Sequence, residues 1–179
     1  MPEGLELPEA HHENGDNPLV IPVSVTISIL AVLVAAVTLL GHRSHTEEIL
    51  LQTQATDQWA YYQAKNIRLH NYDMGLDVLP LIEFKDKEQA GKVQEKYKAQ
   101  VNRYTKEQAE IEEQAKDFEG ESARAQRKAD RFDMGEVFLE IALVISSLAL
   151  LSQKRFYWFL GIISGVAGLG IAVTGMLMH

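Results

Sequence analysis

Seven ionisable side chains stand where the polar middle of the chain meets its apolar ends. His42, His45, Glu47 and Glu48 follow the first apolar run, and Asp133, Glu136 and Glu140 lead into the second. Imidazoles and carboxylates converging from two helices are the donor set of a zinc or non-haem iron site. The spacing argues for something plainer. His42 and His45 lie three apart without a second matched pair, and neither stretch carries a Glu-x-x-His motif. The residues predict a membrane-proximal polar collar of His42, Arg43, His45, Glu48, Arg131, Asp133, Glu136 and Glu140, hydrogen-bonded or ion-paired. A metal set drawn from His42, His45, Glu136 and Glu140 is the minor alternative.

A second group, Asp57, Trp59, Tyr61, Tyr62 and Lys65, combines aromatic rings with charge. It reads as helix packing plus solvated charge, or as a surface for a ligand or partner. His11 and His12 sit in an acidic tail and carry little weight. There is no phosphate-binding Gly-x-x-x-x-Gly-Lys-Ser/Thr loop, no His-Glu-x-x-His and no Gly-x-Ser-x-Gly. No catalytic residue and no cofactor are expected, and the chain is read as not an enzyme.

The elements that must place these groups follow from hydropathy. Leu19–Leu40 and Phe156–Met178 are uncharged and long enough for a helix of about 20 residues to cross a bilayer. Pro22 falls in the first turn of its helix, where a missing N–H does no harm. Phe156, Tyr157, Trp158 and Phe159 suit an interfacial anchor. The middle run, Ile141–Gln153, is too short alone, and extending it back to Met134 takes in Glu136 and Glu140. Two placements then compete. Either Glu140 lies about 9 Å inside the start of the span, at about 1.5 Å per residue, or both acids stay at the headgroup level.

Only Lys154 and Arg155 separate the second and third runs, which predicts a tight antiparallel pair. Gly161, Gly165, Gly168 and Gly175 recur along the third run, with Gly161 and Gly165 spaced as small-x-x-x-small. Such a face lets helix backbones approach closely in lipid. With only three spans to cover it, the expected use is contact between subunits.

Between the first and second spans, residues 42–133 carry 18 acids and 15 bases. Leu51, Ala55, Tyr62, Leu69, Tyr72, Leu76 and Leu79 recur at helical spacing. Tyr97, Val101, Tyr104, Gln108, Ile111, Ala115, Phe118, Ser122, Ala125, Ala129 and Phe132 alternate steps of four and three, a heptad pattern that calls for a partner helix. The predicted fold is an all-α membrane protein. Three transmembrane helices (19–41, 134–153, 156–178) carry a long antiparallel helical hairpin, a coiled-coil-like stalk, over 42–133. Its arms are 42–79 and 91–133, its tip is 80–90, and residues 1–18 form an acidic flexible tail. The apolar tip residues Leu79, Leu81, Ile82 and Phe84 either tuck into the hairpin or meet a partner.

The chain has no cysteine and a net charge of −8, with no basic patch, so a nucleic-acid partner is not expected. The acidic start and long first run do not read as a signal peptide. Arg43, Arg124, Arg127, Lys128 and Arg131 flank one side of the spans against Lys154 and Arg155 on the other. That count puts the hairpin in the cytoplasm, although so short a Lys154–Arg155 turn pulls the other way.

Two stretches, His42-Arg-Ser-His-Thr-Glu-Glu48 continuing to Thr56-Asp-Gln-Trp-Ala-Tyr-Tyr-Gln-Ala-Lys65, and Ala129-Asp-Arg-Phe-Asp-Met-Gly-Glu136, resemble a family of small bacterial membrane proteins known only as a domain of unknown function. The likeness covers most of the chain beyond the tail but not Pro80–Gly91. It implies three spans with a helical insert, in a bacterial inner membrane, and brings no activity or cofactor. The expected function is a self-associating, non-enzymatic scaffold or accessory subunit of a larger membrane assembly. Its partners would be the lipid bilayer, further copies of the chain and other membrane subunits. An oligomeric ion channel with Glu136 and Glu140 as carboxylate rings is the competing expectation.

Overall fold

In the computed structural model residues 18–178 are described, and the tail before them, with His11 and His12, lies outside that range. The described chain is helical: α1 (Val20–Val78), a 3-10 turn (Leu79–Leu81), α2 (Lys87–Ser152) and α3 (Arg155–Met176). All three α-helices are long and apolar enough over part of their length to cross a membrane. α1 runs from an apolar segment into a charged one, and α2 from a charged segment into an apolar one, each without interruption.

Local chemistry sets the boundaries. Pro80 disfavours the α conformation in the residue before it and removes a donor, so α1 ends in the 3-10 turn. α2 starts at Lys87, four residues earlier than the expected 91. Asp86 supplies the cap that starts it there: its Oδ1 accepts the N–H of Glu88 (2.9 Å) and of Gln89 (3.2 Å). Gly91 itself is exposed with open space around it, so the helix simply passes through it.

α2 and α3 are joined through Gln153, whose φ of 55° is left-handed, a conformation that favours glycine. Gln153 is exposed, so its side chain adds little to offset that strain. Gln153→Gly is expected to raise stability by about 0.5–1 kcal/mol, the relief of strain less the added freedom of the unfolded chain. Thermal unfolding in mild detergent would check it, and a lowered midpoint would count against it.

The chain divides into two compact units, one of residues up to Leu39 with Arg131–Thr174, the other of Leu40–Asp130 with the last residues from Gly175. In the first unit Leu19, Val23 and Ala149 form a buried cluster, with Ile27, Leu150, Tyr157 and Trp158 packed against it. The Trp158 indole N–H donates to Thr26 Oγ1 (3.1 Å), tying α3 to α1.

In the second unit the α2 heptad positions read from the sequence, Tyr97 to Ala129, are all buried or half-buried. The α1 stripe is longer than its apolar residues indicate. Ser44, Glu48, Leu51, Ala55, Gln58, Tyr62, Lys65, Leu69, Tyr72 and Leu76 alternate steps of four and three, and none is exposed. Four of these ten are polar, which conceals the repeat. Contacts between the arms include Ser122 Oγ donating to the Glu48 carbonyl (3.3 Å), Gln108 Nε2 to Asn66 Oδ1 (3.1 Å), and the Tyr72 ring against those of Tyr97 and Tyr104 at 5.2 and 5.8 Å. Gly75 lies close against this aromatic level. A Cβ there would come within 2.5 Å of the Tyr97 ring.

Candidate functional site

The eight collar residues fall four to each unit. In the second unit His45 Nδ1 lies 3.3 Å from Glu48 Oε2, while His42 and Arg43 are exposed. In the first unit Thr38 Oγ1 donates to Glu136 Oε1 (2.6 Å), placing that carboxyl half-buried between α1 and α2. Arg131, Asp133 and Glu140 are exposed, and Asp133 has an interaction of its own. Among the described residues no group of three or more His, Asp or Glu is close enough to hold a metal ion. The set His42, His45, Glu136 and Glu140 is therefore not assembled as a metal centre.

The glycine face needs a correction. A Cβ on Gly168 would meet the Gly135 carbonyl oxygen at 2.7 Å, Phe138 Cβ at 2.9 Å and the Leu139 nitrogen at 3.0 Å. One on Gly165 would meet Leu30 at 2.8 Å, and one on Gly161 would overlap the Ser146 hydroxyl. All three are buried, as is Gly175. Close backbone approach is what the glycines provide, but α2 and α1 of the same chain fill the face at Gly161, Gly165 and Gly168. That part of the face is not left open for another subunit.

These contacts also give the level of Glu140 along α3. Gly135 meets Gly168 and Ala172, Phe138 accepts the Ser164 hydroxyl on its carbonyl (2.9 Å), and Ala142 meets Gly161 and Gly165. Positions on α3 fall as those on α2 rise. Glu140, between Phe138 and Ala142, is therefore level with Ser164 and Gly165, near the middle of α3 and about 15 Å of helical rise from either end. Glu140 is nevertheless exposed, flanked by exposed Val137 (51 %), Ile141 (44 %) and Val144 (58 %). Among the described residues it has no hydrogen-bond or ion-pair partner.

The polar-aromatic group does not form one surface. Trp59 donates from Nε1 to Glu119 Oε1 (2.8 Å) and meets Tyr62 edge-on at 5.6 Å, whereas Asp57 and Tyr61 are exposed. Lys65 is buried at a heptad position. Its Nζ donates to Glu107 Oε2 (2.5 Å) and lies 5.1 Å from the ring centres of Tyr61 and Tyr104. Arg103 Nε reaches the other Glu107 oxygen at 2.6 Å. This box is the feature that sequence reading missed, because Glu107 and Tyr104 are distant in the chain; the signal that could have found it is the four-three spacing running through Lys65.

The hydrogen bond from Lys65, then that from Arg103, holds the Glu107 carboxyl below the usual carboxylate range. The Glu107 contact, then that of Tyr61, raises Lys65 above the usual lysine range. The stabilisation from Glu107 is thus complete above the ordinary carboxylate range and is lost as pH falls through its lowered folded value. That from Lys65 is complete below the ordinary lysine range and is lost only as pH rises through its raised folded value. Glu107→Gln is expected to flatten the acid limb of the second unit's stability profile and leave the neutral plateau flat. Hydrogen exchange across that pH range measures it; an acid limb of unchanged steepness would contradict the assignment.

At the tip Leu81 is 82 % exposed, with Ile82 and Phe84 also exposed beside a hollow lined by Leu79, Pro80, Lys87 and Gln94. These residues are not tucked between the helices.

The class these observations define is an all-helical protein with three candidate membrane spans and, among its described residues, no group of His, Asp or Glu assembled to hold a metal. The chain belongs to the family described as Domain of unknown function (DUF4337), which matches residues 19–178. No curated protein and no solved structure matches it.

Proposed function

We propose that the chain is a non-enzymatic integral protein of the bacterial inner membrane that self-associates and serves as a scaffold or accessory subunit of a larger membrane assembly. One observation carries this reading. The second unit buries a single large aliphatic side chain, Ile111, yet exposes Ile49 (65 %), Leu50 (58 %), Ile67 (63 %) and Met74 (60 %). Lipid accounts for exposed apolar residues in a span; it does not account for them in a charged segment, where a neighbouring copy or subunit does.

In this reading 42–133 is an antiparallel helical hairpin outside the bilayer. Support comes from its contact pairs: residues 48, 66 and 72 on α1 meet 122, 108 and 97 on α2, one series rising as the other falls. The Lys and Arg count at the span ends favours the cytoplasmic side. Amine-reactive crosslinking of the full chain in native membranes tests the reading. Multimers of this chain, alone or with other subunits, are expected; monomer alone contradicts it.

A second reading, an oligomeric cation pore, is favoured by the mid-span exposure of Glu140. Glu136 is engaged with Thr38, so a carboxylate ring would rest on Glu140 alone. Cation flux into liposomes that is abolished by Glu140→Gln would establish this alternative, and absence of flux from the parent protein would remove it.

A further inference from the structure

We propose that a second copy of this chain covers the outer face of α2 at Glu140, so that the two Glu140 carboxyls meet across a two-fold axis along the membrane normal. The proposal rests on the self-association reading above and names the surface involved. Exposed apolar residues on α1 and α3 need no partner, because lipid is as good a solvent for them as protein. Glu140 is different. It is level with the middle of α3, lacks a partner among the described residues and projects outward from the packed unit. A carboxyl at that depth is found against protein or water, not against acyl chains.

The same face of a second copy satisfies it with no further group. Two copies inserted in the same direction and related by a two-fold axis bring each residue of the facing helix onto its twin. Two carboxyls so placed can hydrogen-bond to each other, an O–H of one donating to an oxygen of the other. Around them Val137, Ile141 and Val144 of one copy would pack on the same residues of the other. The glycine face of α3 does not compete for this role, since Gly161, Gly165 and Gly168 are covered within the chain.

The absence of native cysteine makes the test direct. Single cysteines are placed in the full chain at Val137 or Val144 on α2, and at Val32 on α1 or Val166 on α3 as exposed controls. Mild oxidation in native membranes is expected to give disulfide-linked pairs at 137 and 144 at least about tenfold above the controls, the ratio expected when polar pairing holds helices together in lipid. In the Val144→Cys background, Glu140→Gln should preserve the link, because an amide also pairs with its twin, and Glu140→Leu should weaken it severalfold. Equal yields on all three helices, or a link indifferent to Glu140→Leu, would overturn the proposal. Multimers by amine crosslinking without any α2 disulfide would overturn it while leaving self-association standing. Monomer in both experiments would remove both.

Discussion

Ile111→Ala is expected to lower the unfolding free energy of the second unit by about 2–5 kcal/mol, the range for emptying a buried large aliphatic position. The other fully buried positions of the seam offer little apolar volume to offset the loss. Gln108, Ala115, Ser122, Ala125 and Ala129 are buried but small or polar, and Ala55 is the counterpart on α1. Val93→Ala, at a position 38 % exposed, serves as the control with little expected change. Hydrogen exchange of amides between residues 104 and 118 in the full chain reads the effect directly. Equal protection in the two variants would show that the seam does not hold this unit together.

The second large effect concerns the first unit. Gly168→Ala is expected to destabilise it by about 1–3 kcal/mol, because the added methyl meets a carbonyl oxygen and a backbone nitrogen of α2 that cannot move aside cheaply. Gly170→Ala, two residues on, has nothing within 4 Å and should be neutral. Unfolding by SDS titration from mixed micelles compares the two. If both behaved alike, α3 would not be packed on α2 through this glycine.

The contrast between these glycines shows what the sequence could and could not convey. Small residues at heptad spacing announce that some backbone comes close, and Gly168 against Gly135 bears this out. They do not say whose backbone, and the answer was the chain's own α2. The α2 stripe from Tyr97 to Phe132 was legible because most of its members are apolar or aromatic. The α1 stripe was half hidden because Ser44, Glu48, Gln58 and Lys65 occupy seam positions that polarity alone assigns to the surface. Lys65 is tolerated there by Glu107 and two tyrosine rings, a juxtaposition that exists only once the arms are paired. Likewise the start of α2 at Lys87 is set by the capping carboxylate of Asp86, inside the stretch read as the tip.

Glu140 is the clearest case of information added by packing. From the sequence it could lie inside the bilayer or at its surface, since helical rise alone does not fix where a span begins. The contacts of Gly135, Phe138 and Ala142 with α3 set it level with the middle of α3, on the outside. A carboxyl in that position is a demand for a neighbour, and the exposed aliphatic residues of the charged segment make the same demand independently.

Self-association is therefore the claim on which the account turns. The most direct measurement is the mass of the particle extracted from native membranes with its surrounding lipid, without prior detergent exposure. The account predicts two or more copies of the chain in each particle, with or without additional subunits. A particle holding one copy, at the chain's native abundance, would contradict it.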